Sequence, residues 1–553
     1  MGAMKQRIYR NGAILTMAQS SQEATAFSMF HDRFTAVGPE SDVVPSSDSD
    51  TEVVDLGGKA VMPGFIESHN HMSVYAMNML QADCSLAGNR TIEDVKETLR
   101  AMVSRTKPGD WIRGYGFDET LIADKRHLTR DDLDEVAPEN PVFIFHITVH
   151  FCYVNSPALA MAGITKDTPQ PEGGEIATDD EGRPTGLLME PGAMNLVGDI
   201  IPPYTVDQLK SVLPRAMEHF HSFGITGIHD GGIGYFRHGR QILQAYQELE
   251  RERSLSLRVY MTVVEEIYGT LFREGMRGRF GSPLLRLGSV KLWQDGSIQG
   301  YTGALKEPYY SRPDHLGELL IPQERLNEIV TKYHAADCQV AIHANGDRAI
   351  ESVLDAFEYA CHVCPRTDRR HMIIHCQTAS DEQIERMKRL GIIPNYFVNH
   401  VYYWGDRHRD IFLGPERAGR IDPLASSLRR GLSFCLHSDL PVTPVDPMFS
   451  IHTAVNRMTS DGHVLGPEER VSVLEALKAY TVNAAYAGFD EDERGTIEPG
   501  KLADFIVLSK NPLTVPHEEI KDIEVLETVV GGRTVYSRIP RIPGTPRIPG
   551  TQY

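Results

Sequence analysis

The chain is short of positive charge, of cysteine and of long apolar runs. Lys and Arg together number 56 against 75 Asp and Glu, a formal net charge of −19. Nucleic acids and anionic membrane surfaces are held through clustered Lys and Arg; no such cluster stands out, so neither is expected as a partner. Seven cysteines (Cys84, Cys152, Cys338, Cys361, Cys364, Cys376 and Cys435) are scattered over 553 residues. That odd number lacks the density of a secreted disulfide scaffold and predicts free thiols. Cys361 and Cys364 form a single Cys-x-x-Cys without a second pair or nearby His ligands, and read as two thiols near a helix end rather than a zinc or redox motif. Met1 to Thr16 alternates polar and apolar types and lacks the apolar stretch of a signal peptide or membrane span, so a cytoplasmic location is the default expectation. No Gly-x-Ser-x-Gly elbow with a credible triad and no Gly-x-x-x-x-Gly-Lys-Ser/Thr loop occurs, which sets aside serine-nucleophile chemistry and nucleotide hydrolysis.

What is present is ordinary globular material, 41% hydrophobic and 24% charged, enough to build a large core. Residues 6 to 60 break into short strand-like pieces with turn punctuation, such as Arg7-Ile8-Tyr9 before Asn11-Gly12 and Glu52 to Leu56 before Gly57-Gly58. The pattern returns at Asp504 to Leu508, Glu527 to Val530 and Thr534 to Tyr536. The two ends, 1–60 and 490–540, are therefore expected to pair as one small β-sandwich. The acidic run Asp490 to Glu493 reads as a solvated turn rather than a calcium site. Beyond it, 541–553 continues the Arg-Ile-Pro repeats that begin at Arg538 and reads as an extended tail.

Between the ends, over 61–489, short apolar runs alternate with amphipathic helical stretches, the pattern of parallel strands joined by helices. Eight runs can be nominated: Ala60 to Ser68, Ile225 to Asp230, Leu257 to Val263, Leu287 to Trp293, Gln339 to His343, Met372 to His375, Ile392 to Asn395 and Leu432 to Ser438. Eight such strands close a (β/α)₈ barrel whose C-terminal strand ends face the active-site mouth. The gap after the first run is too long for a helical crossover, so roughly 75–215 is expected to form an inserted subdomain.

The strand ends carry the chemistry. Run one leads into His69-Asn70-His71; residues two apart in a strand point to the same side, so both imidazoles can reach one ion. Runs five, six and eight end in His343, in His375 and in His437-Ser438-Asp439. Neutral imidazoles suit zinc and similar ions, and a carboxylate adds a hard ligand that can also carry protons. A lone strand-end His is usually a satisfied structural residue. His69, His71, His343 and His375 with Asp439, at matching ends of four runs, point instead to a metal centre. Run four adds Lys291, which is costly to bury as a bare cation unless it is paired or chemically altered.

With these residues in place the sequence resembles the amidohydrolase superfamily, through Pro63-Gly64-Phe65 with His69-x-His71, the strand-four Lys, single His residues on strands five and six, and the strand-eight Asp. The finer resemblance is to the amidohydrolase 3 (YtcJ-like) family, which includes N-substituted formamide deformylases. It is carried by Gly114 to Glu119, His150 with Asn155 to Leu159, Gly182 to Glu190, Lys291 with Asp295-Gly296-Ser297, His343 with Gly346-Asp347, Ser438-Asp439 with Pro441-Val442, and Gly495 to Asp504. It spans nearly the whole chain except the last fifteen or so residues.

The resemblance implies a distorted (β/α)₈ barrel that holds one or two divalent ions, zinc foremost, through His69, His71, His343, His375, Asp439 and a carboxylated Lys291. It also implies a water whose pKa is lowered to about 7 as nucleophile, with Asp439 carrying its proton to the leaving nitrogen, His375 in the catalytic set, and His150 donating to the developing oxyanion. Three positions depart from the family pattern: Phe117 where Trp is usual, Thr148-Val149 where Asp-Gly is usual, and Tyr301 where Arg is usual. Phe117, Trp293, Tyr301 and His150 are expected to line the substrate pocket, with core packing as the alternative for the three aromatics.

The expected activity is metal-dependent hydrolysis of a non-peptide carbon–nitrogen bond in a small molecule, such as an N-substituted formamide or another N-acyl amine. A deaminase, a cyclic-imide or carbamate hydrolase and a metal-assisted isomerase on the same scaffold stay open. A non-catalytic binding protein is least expected, since no ligand position is empty. A homodimer is one assembly these features admit.

Overall fold

In the computed structural model, residues 6–19, 24–44, 51–147, 150–235 and 238–538 are described; the tail 541–553 and Thr148-Val149 lie outside them. The chain divides into two units, one made of Met1–Met72 with Pro214–Tyr553 and the other of Ser73–Leu213. The larger is organised around eight strands: β1 (Phe65–Asn70), β2 (Ile225–Ile233), β3 (Arg258–Val264), β4 (Leu285–Trp293), β5 (Val340–Ala344), β6 (Met372–His375), β7 (Ile393–Tyr396) and β8 (Cys435–Leu436). Each is hydrogen-bonded in parallel to the next. Every residue of β1, β2 and β3 is buried. Strands covered on both faces read as continuous apolar runs rather than alternations, which is why the sequence shows them so plainly.

Helices return the chain between strands, and local signals mark their ends. The helix Asp381–Leu390 starts at a Ser380/Gln383 capping box and stops at Gly391 in the left-handed region, the expected start and stop chemistry.

Two nominated strands differ from the fold. The run Ala60 to Ser68 is two strands: Ala60–Pro63 pairs with Phe505–Leu508 in a terminal sheet, and Phe65–Asn70 is β1. Gly64 is the joint. A Cβ there would stand 2.1 Å from Thr226 Cγ2, so only glycine lets the chain pass β2 this closely. The run Leu432 to Ser438 contributes only the two residues of β8, and β8 makes no ladder with β1. Side chains close the ring instead: Ser68 Oγ lies 2.9 Å from Leu436 O, and Asn395 Nδ2 donates to Ser68 O at 3.1 Å. Ser438 N donates to Glu67 Oε1 at 2.8 Å. This polar closure is the distortion of the barrel.

The terminal segments form two sheets. One holds Arg7–Arg10, Ala26–Phe30, Arg33–Gly38 and Glu52–Asp55; the other holds Ala13–Ile14, Ala60–Pro63, Phe505–Leu508, Val525–Val530 and Arg533–Ser537. Their shared core is aromatic: Tyr9 stacks on Phe27 at 4.7 Å, and Phe505 meets both edge-on at 5.2 and 5.0 Å. The acidic run is only partly solvated, because Asp490 is buried and accepts from Arg494 Nε at 3.0 Å and Nη2 at 2.7 Å. An acidic run does not reveal a basic partner four residues further along the turn.

Arg258 of β3 ties the barrel to the terminal sheets. Its Nε and Nη2 donate to the two carboxylate oxygens of Asp504 at 2.6 and 2.9 Å, with both side chains buried. Removing one partner strands the other charge in the interior, which typically costs about 3–5 kcal/mol. Asp504→Ala is therefore expected to lose about that much stability in urea unfolding; a loss under about 1 kcal/mol would show that the pair is not structural.

The smaller unit is a six-stranded sheet in the order Glu175–Thr178, Pro184–Met189, Phe151–Val154, Val142–His146, Ile112–Phe117, Ala82–Asp83. Helices Ile92–Val103 and Arg130–Val136 cover it, each opened by a Thr/Asp capping box. All seven cysteines are free, and no helix among the described residues is long and apolar enough to cross a membrane.

Candidate metal centre

The six nominated ligands come together at the C-terminal ends of the barrel strands. His69, His375 and Asp439 each present a ligand atom within 4.8 Å of the other two. Asp439 Oδ1 lies 3.4 Å from His69 Nε2 and 3.3 Å from His71 Nε2, and Lys291 Nζ is 3.4 Å from His69 Nε2. The His343 ring sits 4.5 Å from that of His375, centroid to centroid. β-Strand geometry delivers them: His69 and His71 share a side of β1 and its extension, and the β4–β5 register places Trp293 beside His343. His375 and Asp439 have φ of +70° and +59°. Positive φ is uncommon for residues other than glycine and recurs where side chains are re-aimed at functional sites.

The hydrogen bonds around these groups decide which ring nitrogens are free. His71 donates Nδ1–H to Gly231 O at 2.6 Å, so the Nε2 facing Asp439 bears a lone pair. His343 donates Nε2–H to Gly296 O at 3.1 Å, a carbonyl that also accepts from Asn345 Nδ2 at 2.9 Å. His375 is oriented by a longer chain. Asn395 Nδ2 donates to Ser68 O, which turns Oδ1 towards His437 Nδ1 at 3.1 Å; His437 Nε2 then accepts from His375 Nδ1 at 3.2 Å. Such outer partners fix tautomer and ring direction in metal-binding histidines.

The donor set fits a cation. Asp439 Oδ1 is buried and accepts no hydrogen bond, although imidazole nitrogens approach it closely. A carboxylate oxygen and an imidazole lone pair facing each other in a buried space repel unless positive charge lies between them. Imidazoles with one carboxylate suit zinc and its neighbours.

Electrostatics prepare the same arrangement. Burial holds His343 and His437 down to about 3, assisted for His343 by Lys291, and pushes His69 and His375 well below their ordinary range. These imidazoles are neutral at neutral pH and ready to bind. The Asp439 carboxyl lies below its ordinary range although burial acts to raise it, the Lys291 cation working the other way, so it stays ionised. Burial lowers Lys291 to about 7, opposed by Asp439.

The expected pocket residues fall in different places. Trp293 ends β4, with its ring 5.1 Å from Tyr235 and 5.3 Å from Lys291 Nζ, directly beside the ligands. The Tyr301 ring packs against Arg312 at 3.7 Å, Phe412 at 5.0 Å and Tyr309 at 5.1 Å, and none of these is a ligand. Phe117 is fully buried in the core of the smaller unit, edge-on to Tyr153 at 5.1 Å, and packing there accounts for it. His150, in the same unit, is exposed, with Nδ1 2.9 Å from Glu190 Oε2.

Several supporting residues were not singled out in the sequence. His437 stood in the run that yielded Asp439, and Asn395 ended run seven, but nothing in a linear string pairs them. Glu67 did carry a signal, as an acid inside an apolar strand. It is fully buried, and burial pushes its carboxyl up to about 8. Asp295 accepts backbone N–H groups from Asn345 at 2.9 Å, Gly346 at 2.8 Å and Ala304 at 2.9 Å, which locks the loops after β4 and β5 together.

Comparison with known proteins gives a consistent picture. A sequence model of the amidohydrolase family (Amidohydro_3) matches residues 52–536. The chain is 31% identical to YtcJ of Bacillus subtilis (strain 168), over 96% of this chain and 99% of that one. It is also 31% identical to the N-substituted formamide deformylase of Arthrobacter pascens, over 97% and 99%. Among solved structures, an uncharacterized metal-dependent hydrolase from Pyrococcus furiosus superposes with a TM-score of 0.77 at 29% identity, covering 92% of this chain and 100% of that one. With a buried cluster of imidazoles, carboxylate and lysine at the rim of an eight-stranded parallel barrel and a family match over nearly its full length, this chain belongs to the amidohydrolase family, hydrolases of carbon–nitrogen bonds.

Proposed function

We propose that this chain is a cytoplasmic enzyme that hydrolyses an amide-type bond in a small molecule, with N-substituted formamides and related N-acyl amines as first candidates. Its centre is a divalent ion held by His69, His71, His343, His375, Asp439 and a carboxylated Lys291. The observation that supports this most directly is the buried Asp439 Oδ1, free of hydrogen bonds and 3.3–3.4 Å from two imidazole nitrogens. Full-length similarity to a formamide deformylase puts formamides first. Zinc is the ion this donor chemistry favours.

When bound, the ion supplies Lewis acidity, which makes water a nucleophile near neutral pH and polarises the scissile carbonyl. Asp439, ionised at the working pH, takes a proton from the attacking water and returns it to the leaving nitrogen. Burial keeps His375 neutral, and the Asn395–His437 chain turns it correctly. Lys291 has access to the uncharged amine that adds carbon dioxide: an N–C bond forms, the amine loses a proton, and an anionic carbamate replaces the cation. Trp293 walls the approach to the ligands.

The test is elemental analysis of the purified protein, followed by a screen of N-acyl amines at neutral pH in ¹⁸O-labelled water, with and without chelator. The expected products are an amine and a carboxylate carrying solvent oxygen, with turnover lost to chelator and restored by Zn2+. Undiminished turnover by metal-free protein, or products lacking solvent oxygen, would refute the proposal.

A further inference from the structure

We propose that the smaller unit carries a divalent-cation site of its own, formed by Asp118, Glu119 and His146 and suited to Zn2+ or Mn2+. The three residues sit where two parallel strands end side by side. Ile112–Phe117 and Val142–His146 pair in a register that sets His146 opposite Phe117, so the imidazole meets the two carboxylates that follow the neighbouring strand. One ligand atom from each residue lies within 4.8 Å of the other two. The His146 side chain is only 4% exposed, whereas Asp118 and Glu119 are half-buried, which leaves an ion a path from solvent to the imidazole.

The closest contact joins Glu119 Oε2 and His146 Nε2, 2.7 Å apart as an ion pair. A divalent ion can take the place of the imidazole proton between these two atoms, with both as its ligands. Asp118 brings a second carboxylate, and Thr120 orients it: the Thr120 N–H and hydroxyl donate to Oδ1 at 2.9 and 2.5 Å, leaving Oδ2 for a ligand bond. His127 backs the cluster, its Nδ1 3.9 Å from Glu119 Oε2 and 2.8 Å from Tyr153 OH. Two neighbouring carboxylates repel each other, and a shared cation relieves that repulsion. One imidazole with two carboxylates matches Zn2+ or Mn2+ better than the all-oxygen sets of Mg2+ or Ca2+. Asp118-Glu119 also closes the Gly114 to Glu119 string, which the barrel centre does not use.

The test counts metal per chain in full-length protein that has been stripped with chelator and dialysed against low micromolar Mn2+ or Zn2+ alone. Four proteins are compared: wild type, Glu119→Gln, a barrel-disabled variant (His69→Ala with Asp439→Asn), and the barrel-disabled variant with Glu119→Gln added. Glu119→Gln is expected to lose one equivalent relative to wild type. The barrel-disabled protein is expected to keep one equivalent, seen with Mn2+ as a matching drop in the free-ion EPR signal, and to lose it when Glu119→Gln is added. Circular dichroism verifies folding; should Glu119→Gln fail to fold, His146→Gln replaces it and the same loss is expected. Wild-type stoichiometry in Glu119→Gln, or no bound ion in the barrel-disabled protein, overturns this site. Failure of the barrel centre reads out separately, as barrel substitutions that remove no metal.

Discussion

Asp439→Asn is expected to lower kcat/KM by at least about 10³-fold while leaving the protein folded. The side chain has two proposed tasks, ligand and proton carrier, and general acid–base transfer alone typically contributes 10²–10⁴-fold. Asparagine keeps the volume but loses the negative charge and the basicity. It also tolerates the left-handed backbone at this position, where φ is +59°, so the fold should survive. Steady-state kinetics with a thermal melt separates the outcomes: a folded variant within a fewfold of wild type would remove Asp439 from the chemistry.

Lys291→Ala is expected to abolish turnover and reduce bound metal, and to recover part of both when a short carboxylic acid such as acetate or propionate is added. The truncation opens a slot in a fully buried position of β4, and an added carboxylate can occupy the place of the proposed carbamate. Proton linkage supplies a second reading. With Lys291 near 7, the amine is mostly charged below that pH and mostly neutral above it, and only the neutral form adds carbon dioxide. Between pH 6 and pH 8 the neutral fraction rises from roughly one tenth to nine tenths. At equal dissolved carbon dioxide, reactivation of metal-free wild type by Zn2+ should therefore quicken by about that ratio over this interval. Reactivation independent of carbon dioxide, or Lys291→Ala with full metal content and activity, would exclude the carbamate.

Much of the barrel was legible in the string of residues, for a specific reason. Parallel strands buried on both faces need unbroken apolar runs, and the observed β2 to β7 fall within a few residues of the nominated ones. The candidate ligand types were legible because a barrel presents its C-terminal strand ends to one mouth, so polar residues closing those runs announce themselves. The joint at Gly64 was hidden: Ala60 to Ser68 is apolar enough to be one strand, and only the closeness of Thr226 shows why the chain must change sheets there. Phe117 was ambiguous for a related reason, since an aromatic beside glycines looks the same in sequence whether it walls a pocket or fills a core.

By itself the sequence determined which residue types stand at each strand end, because periodicity and strand termination are local properties. Only the tertiary structure decided the state in which those residues meet. The acceptor that frees His71 Nε2 is the carbonyl of Gly231, and the amide that begins the chain to His375 belongs to Asn395. Protonation of a buried imidazole follows from partners brought close in space, and folding sets those distances irrespective of separation along the chain.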